Sequence, residues 1–238
     1  MKILLLIFIP LTAGMIAYFL KNLSTRIFKL TLALSGAFVL AMCFMHLLPH
    51  VYHVLSDLYT NGHLLVGAAV LSGFLIQISL DWLTGGIEHG HSHVHENQKF
   101  PIGLLIGLCI HAFIEGLPLH DHGHENNHLL LSVLVHKFPV ALILVLVFKS
   151  YNLSQIKSWC YLVLFTLMAP LGIYVSQLFE NSIENIGNVM MLITGAVIGV
   201  LLHISTTILF EAGENHKYNA TKLLMIVLGF VLAFFTSM

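Results

Sequence analysis

His111 and Glu115 stand four residues apart within the apolar run Gly-Leu-Cys-Ile-His-Ala-Phe-Ile-Glu-Gly-Leu-Pro-Leu, residues 107–119. That spacing places both on one face of a helix. The next apolar run carries His136 and Lys137 just before Pro139. Two imidazoles and a carboxylate form a ligand set suited to Zn²⁺ and its borderline-soft relatives, the carboxylate offsetting part of the cation's charge. Pro139 removes one amide from the helical ladder and frees the carbonyl of Val135, which leaves polar, bendable backbone beside His136. The same residues also fit a hydrogen-bonded structural cluster in which Glu115 pairs with Lys137. Spacing alone leaves both readings open.

The surrounding chain makes these groups conspicuous. Of its 238 residues, 58% are hydrophobic and 9% are charged, and the mean hydropathy is +0.91. A soluble domain carries roughly 25% charged residues, so a water-soluble enzyme is excluded, and disorder with it. A net charge of −1 gives no handle for nucleic acid. Cys43, Cys109 and Cys160 all fall in apolar runs and form no disulfide framework. Histidine is the anomaly: there are 16, against 10 Lys and Arg.

Eight apolar stretches are marked by polar breaks, at 3–20, 30–55, 63–83, 101–119, 128–148, 158–179, 187–210 and 219–237. The expected fold is therefore an all-α polytopic membrane protein of eight transmembrane helices, a single transmembrane domain over 1–238. The first stretch lacks a clear small-residue cleavage site and runs into a basic loop, so it reads as a span and not as a signal peptide. Loops after the odd-numbered spans hold Lys21, Arg26, Lys29, Lys99, Lys149, Lys157 and Lys217, whereas 56–62, 120–127 and 180–186 hold no Lys or Arg. The positive-inside rule then predicts both termini outside and loop 84–100 in the cytoplasm.

Depth along the helices gives an independent expectation. At 1.5 Å per residue, His111 and Glu115 lie roughly 15 and 21 Å from the cytoplasmic start of span 4, and His136 about 12 Å in from the outer start of span 5. Across a core of about 30 Å all three share one level. They lie on consecutive antiparallel spans joined by a short loop, which are expected to be neighbours.

At these residues the sequence resembles the ZIP (Zrt/Irt-like) family of divalent metal transporters. The family pattern is His-Asn/Ser-x-x-Asp/Glu-Gly in span 4 and His-Glu/Lys-x-Pro in span 5. Here the two motifs stand as His111-Ala112-Phe113-Ile114-Glu115-Gly116 and His136-Lys137-Phe138-Pro139. His46-Leu47-Leu48-Pro49 in span 2, the His-rich loop, and Gly195 and His203 in span 7 extend the likeness. The resemblance implies eight spans with both termini outside, and import of metal, usually zinc, into the cytoplasm. It also implies a bundle containing spans 4 and 5 that moves against the others, often within a homodimer. Three positions depart from the two-metal members: Ala112 replaces a liganding Asn, Lys137 a span-5 carboxylate, and Val140 a further ligand. The expectation is one central ion held by His111, Glu115 and His136, with Lys137 in place of a second metal, as in the branch with His-Lys in span 5.

Other histidines have weaker claims. His89, His91, His93 and His95 match the family's cytoplasmic loop, where they would catch or sense metal, or would simply be solvated. His120, Asp121, His122 and His124, with His128, lie on the outer side and would concentrate cations at an entrance. His46 and His50 are candidate accessory ligands or interfacial capping groups. Gln77 and Asp81 on one face of span 3, and His203 and Glu211 in or near the end of span 7, are candidate exit groups. His124-Glu125-Asn126-Asn127-His128 matches the zinc-protease pattern literally but straddles a loop, and Asn-Asn is a poor helix core.

The function expected is thus a divalent metal transporter in the cell membrane (plasma or inner). Its substrate would be Zn²⁺, with Fe²⁺, Mn²⁺ or Cd²⁺ as alternatives, and it would need no catalytic cofactor. The competing readings are a metal-binding membrane sensor or receptor without transport, and a His-ligated membrane metalloenzyme.

Overall fold

A computed structural model describes residues 1–19, 25–84, 100–120, 125–180, 186–211 and 220–236. Helix α1 spans Lys2–Phe19 and α2 spans Thr25–Met42; a π-helical turn, Cys43–Leu47, continues α2 into α3, Leu48–Leu58. Then follow α4 (Gly62–Thr84), α5 (Ile102–Gly116) with a 3₁₀ turn at Leu117–His120, α6 (Glu125–Ser150), α7 (Gln155–Glu180), α8 (Ile186–Glu211) and α9 (Ala220–Phe235). Among the described residues, seven helical segments are long and apolar enough to cross a bilayer, α2 and α3 counting as one; α9 is shorter, at 16 residues. These are the stretches read from the sequence, each shifted by a few residues. The long helices form because lipid offers no partner for a backbone amide, so every one must be satisfied within its own segment.

Pro49 explains the π turn. It has no amide to donate at the start of α3, and the Leu48 amide reaches back five residues to the Cys43 carbonyl. Pro139 lies inside an unbroken α6.

Packing divides the helices into two groups. In one, α1 lies against α6 and α7, and α5 against α7. In the other, α4 lies against α8, and α2 against α9 and α8, with α3 bracing α4 and α8. The groups meet where α2 touches α6 and where α4 touches α5. Small residues set the closest approaches, as packing in lipid favours. A side chain at Gly116 would overlap the carbonyl of Ala169, and one at Gly172 that of Phe113, so α5 and α7 are in backbone contact beside Glu115. Gly199 is pressed onto α4 at Val70, whereas Gly67 faces open space.

Spans 4 and 5 face each other as expected, in contact through side chains: α5 and α6 share one apolar core and the Glu115–Lys137 pair. Among the described residues the closer backbone neighbours of α5 are α7 and α4, and those of α6 are α1 and α2. Two apolar cores sit at different levels of the bundle. Leu104, Leu105, Leu108, Val140, Leu144, Phe148, Leu162 and Phe165 belong to one, and Leu119, Leu129, Leu130, Val133, Leu134, Ala169 and Ile173 contribute to the other. Glu115, His136 and Lys137 fall between these stretches on α5 and α6, at the junction of the two cores.

Candidate metal centre

His111, Glu115 and His136 converge in the gap between α5 and α6. One ligand atom from each lies within 4.8 Å of the others, and the side chains are 1%, 0% and 1% exposed. Helix α5 supplies the first two from successive turns of one face; α6 brings His136 across, its ring edge-on to His111 with centroids 5.8 Å apart. His111 Nε2 is 3.2 Å from Glu115 Oε1. Among the described residues this is the one group of three His, Cys, Asp or Glu arranged to hold a metal ion.

Lys137 completes the centre. Its Nζ lies 2.7 Å from Glu115 Oε2 and 5.1 Å from the centre of the Phe165 ring, and its side chain is fully enclosed. The pairing of Glu115 with Lys137 and the clustering of the trio are therefore both present, not alternatives. One carboxylate oxygen serves the lysine and the other faces the histidine. An unpaired carboxylate at this depth would be costly; the ammonium, itself steadied by a ring face, neutralises it. Ala112 and Val140 are buried apolar packing residues of one core.

A polar chain runs from this centre along α4. His111 Nδ1 is 3.1 Å from Gln77 Oε1, Gln77 Nε2 donates to Asp81 Oδ1 at 2.8 Å, and His203 Nε2 lies 2.6 Å from Asp81 Oδ2. A proton on Nδ1 shared with Gln77 would leave the lone pair of His111 on Nε2, toward Glu115. A cation or a proton occupies that position, and the two exclude each other.

A family model described as "ZIP Zinc transporter" matches residues 1–102 and 88–237, together spanning nearly the whole chain. The chain belongs to the ZIP zinc transporter family. It is thus a multi-pass membrane protein and a divalent metal transporter, and members of this family are metal transporters, not enzymes.

Among the described residues of this ZIP chain, the other histidines lie outside the trio. His46 stacks on His128, with centroids 4.3 Å apart and planes 14° from parallel. Parallel rings at that distance do not aim their two lone pairs at one point. His50 lies in α3, one turn beyond the π segment. His120 ends the 3₁₀ turn buried, its Nδ1 3.2 Å from Ser176 Oγ. His89, His91, His93, His95, Asp121, His122 and His124 lie outside the described residues. Sequence reasoning placed Gln77 and Asp81 on one face but missed their tie to His111. The available signal was an amide buried mid-span, one turn from a carboxylate.

Proposed function

We propose that this ZIP protein carries a divalent cation, zinc foremost, into the cytoplasm through one site formed by His111, Glu115 and His136. The supporting observation is the buried convergence of two imidazoles and a carboxylate within 4.8 Å. Such a donor set exchanges the ion's water stepwise for nitrogen and oxygen ligands, with water completing the shell. Glu115 contributes Oε1 alone, because Lys137 holds Oε2. Empty, the Glu115–Lys137 pair is neutral; loaded, the site carries excess positive charge. That imbalance weakens retention and favours release, as a carrier requires.

Both termini face outward in this reading, the membrane is the cell membrane, and a homodimer is the assembly. His46, His50 and the outer cluster His120–His124 serve the approach of the ion, and His89–His95 its capture or sensing on the cytoplasmic side.

The test is uptake of radiolabelled zinc by proteoliposomes holding wild type, His111→Ala, Glu115→Ala or His136→Ala, with Fe²⁺, Mn²⁺ and Cd²⁺ as competitors. Loss of flux in all three supports the site. Normal flux in all three ends it, and zinc binding without flux in the wild type would make the protein a metal sensor.

A further inference from the structure

Gln77 is fully buried, and it belongs to the helix group that does not carry the proposed ligands. Its two ends face different partners. The Asp81 carboxylate only accepts hydrogen bonds, so the Gln77 amide nitrogen must be the end that faces it, at 2.8 Å. The amide oxygen is then left for His111, at 3.1 Å. An oxygen there requires a proton on His111 Nδ1. Asp81 is itself fixed from the far side by His203 Nε2 at 2.6 Å. The chain of donors therefore has one direction, running into Asp81 from both sides.

We infer that Gln77 is a positioning residue for the transported ion: anchored by Asp81, it holds His111 in the tautomer that presents Nε2 to the cargo. The inference rests on the reading of His111 as a ligand. Partners of this kind orient the ring and fix which nitrogen meets the metal. What is unusual is the origin of the partner. The bond joins α4 of one helix group to α5 of the other, so ligand orientation is tied to the way the two groups sit together.

The test uses the full-length protein with zinc as the probe for affinity and ¹¹³Cd as the probe for the ligating nitrogen. Gln77→Leu preserves bulk and removes the acceptor. The zinc dissociation constant should rise by roughly 10–100-fold, the usual effect of losing such a partner, and the KM for uptake should rise with it. In ¹⁵N-histidine protein loaded with ¹¹³Cd, the cadmium coupling assigned to His111 Nε2 should vanish or move to Nδ1. The paired change Gln77→Glu/Asp81→Asn reverses the bond between these two positions but keeps an acceptor at each histidine, because the new carboxylate accepts from His111 and from the new amide, whose oxygen still accepts from His203; it should restore affinity and coupling. Unchanged zinc affinity and coupling in Gln77→Leu, even with lower yield or Vmax, would overturn the proposal, as would a folded double variant no tighter than Gln77→Leu. His111→Ala separates the two levels: if it binds zinc like wild type, the site reading fails, whereas if it loses zinc and Gln77→Leu does not, only the role of Gln77 fails.

Discussion

Lys137 Nζ lies 2.7 Å from Glu115 Oε2, and neither side chain reaches solvent. The ammonium balances the carboxylate, is tethered to α6 and cannot leave with the cargo. Lys137→Met should therefore tighten zinc binding while slowing turnover. At an effective dielectric constant near 20, two unit charges about 4 Å apart interact by about 4 kcal/mol, and more when one is a divalent ion, so KM should fall by tenfold or more and Vmax should fall as well. Without zinc the same variant leaves Glu115 buried and unbalanced, a loss of about 3–5 kcal/mol. Thermal melts with and without zinc should diverge more for Lys137→Met than for wild type. Equal zinc-induced shifts would show that the lysine does not share the site's electrostatics.

Glu115→Gln separates charge from shape. The amide can still offer an oxygen to Lys137, but it brings no negative charge to the ion. We expect zinc uptake to fall on the order of 100-fold or more, beyond the typical loss from an outer partner, with the protein still folded. Wild-type uptake at matched reconstitution would exclude a carboxylate ligand.

Proton and cation compete for the same lone pairs. Ligands must be deprotonated to bind metal, so acidification should weaken zinc binding. The sign is fixed: affinity is lost as pH falls. Zinc titrations between about pH 5.5 and 8 check this, and a flat profile would argue against two histidine ligands.

Gly116 lets α5 and α7 touch one residue from Glu115. Gly116→Ala must push against the Ala169 backbone, at a cost of about 1–3 kcal/mol, and it should lower both the melting temperature and the uptake. Gly67 meets nothing within 4 Å. Gly67→Ala should be neutral or stabilising by about 0.5–1 kcal/mol, because alanine loses less backbone freedom in a helix. Equal behaviour of the two variants would contradict the packing.

Replacing His89, His91, His93 and His95 together by Ala should leave most of the flux intact. Uptake at saturating and at limiting zinc tests this. A loss at both concentrations would make the loop part of the pathway.

The bilayer made the helices legible in the sequence. Hydrocarbon forces a long apolar run wherever the chain crosses, so the stretch read as 128–148 is observed as Glu125–Ser150, and that read as 63–83 as Gly62–Thr84. The same penalty made His111, Glu115 and His136 stand out, and the rise per residue put them on one level before any contact was known. Helix periodicity fixes which residues share a face, but not what that face meets. The rotation and tilt of each helix come from packing between segments distant in the chain, and several relationships were decided there. Gln77 reaches His111 across 34 positions. His46, in the turn before Pro49, stacks on His128 and lies outside the trio. Helices α5 and α6 meet through side chains, leaving Lys137 with one oxygen of Glu115 and His111 facing the other.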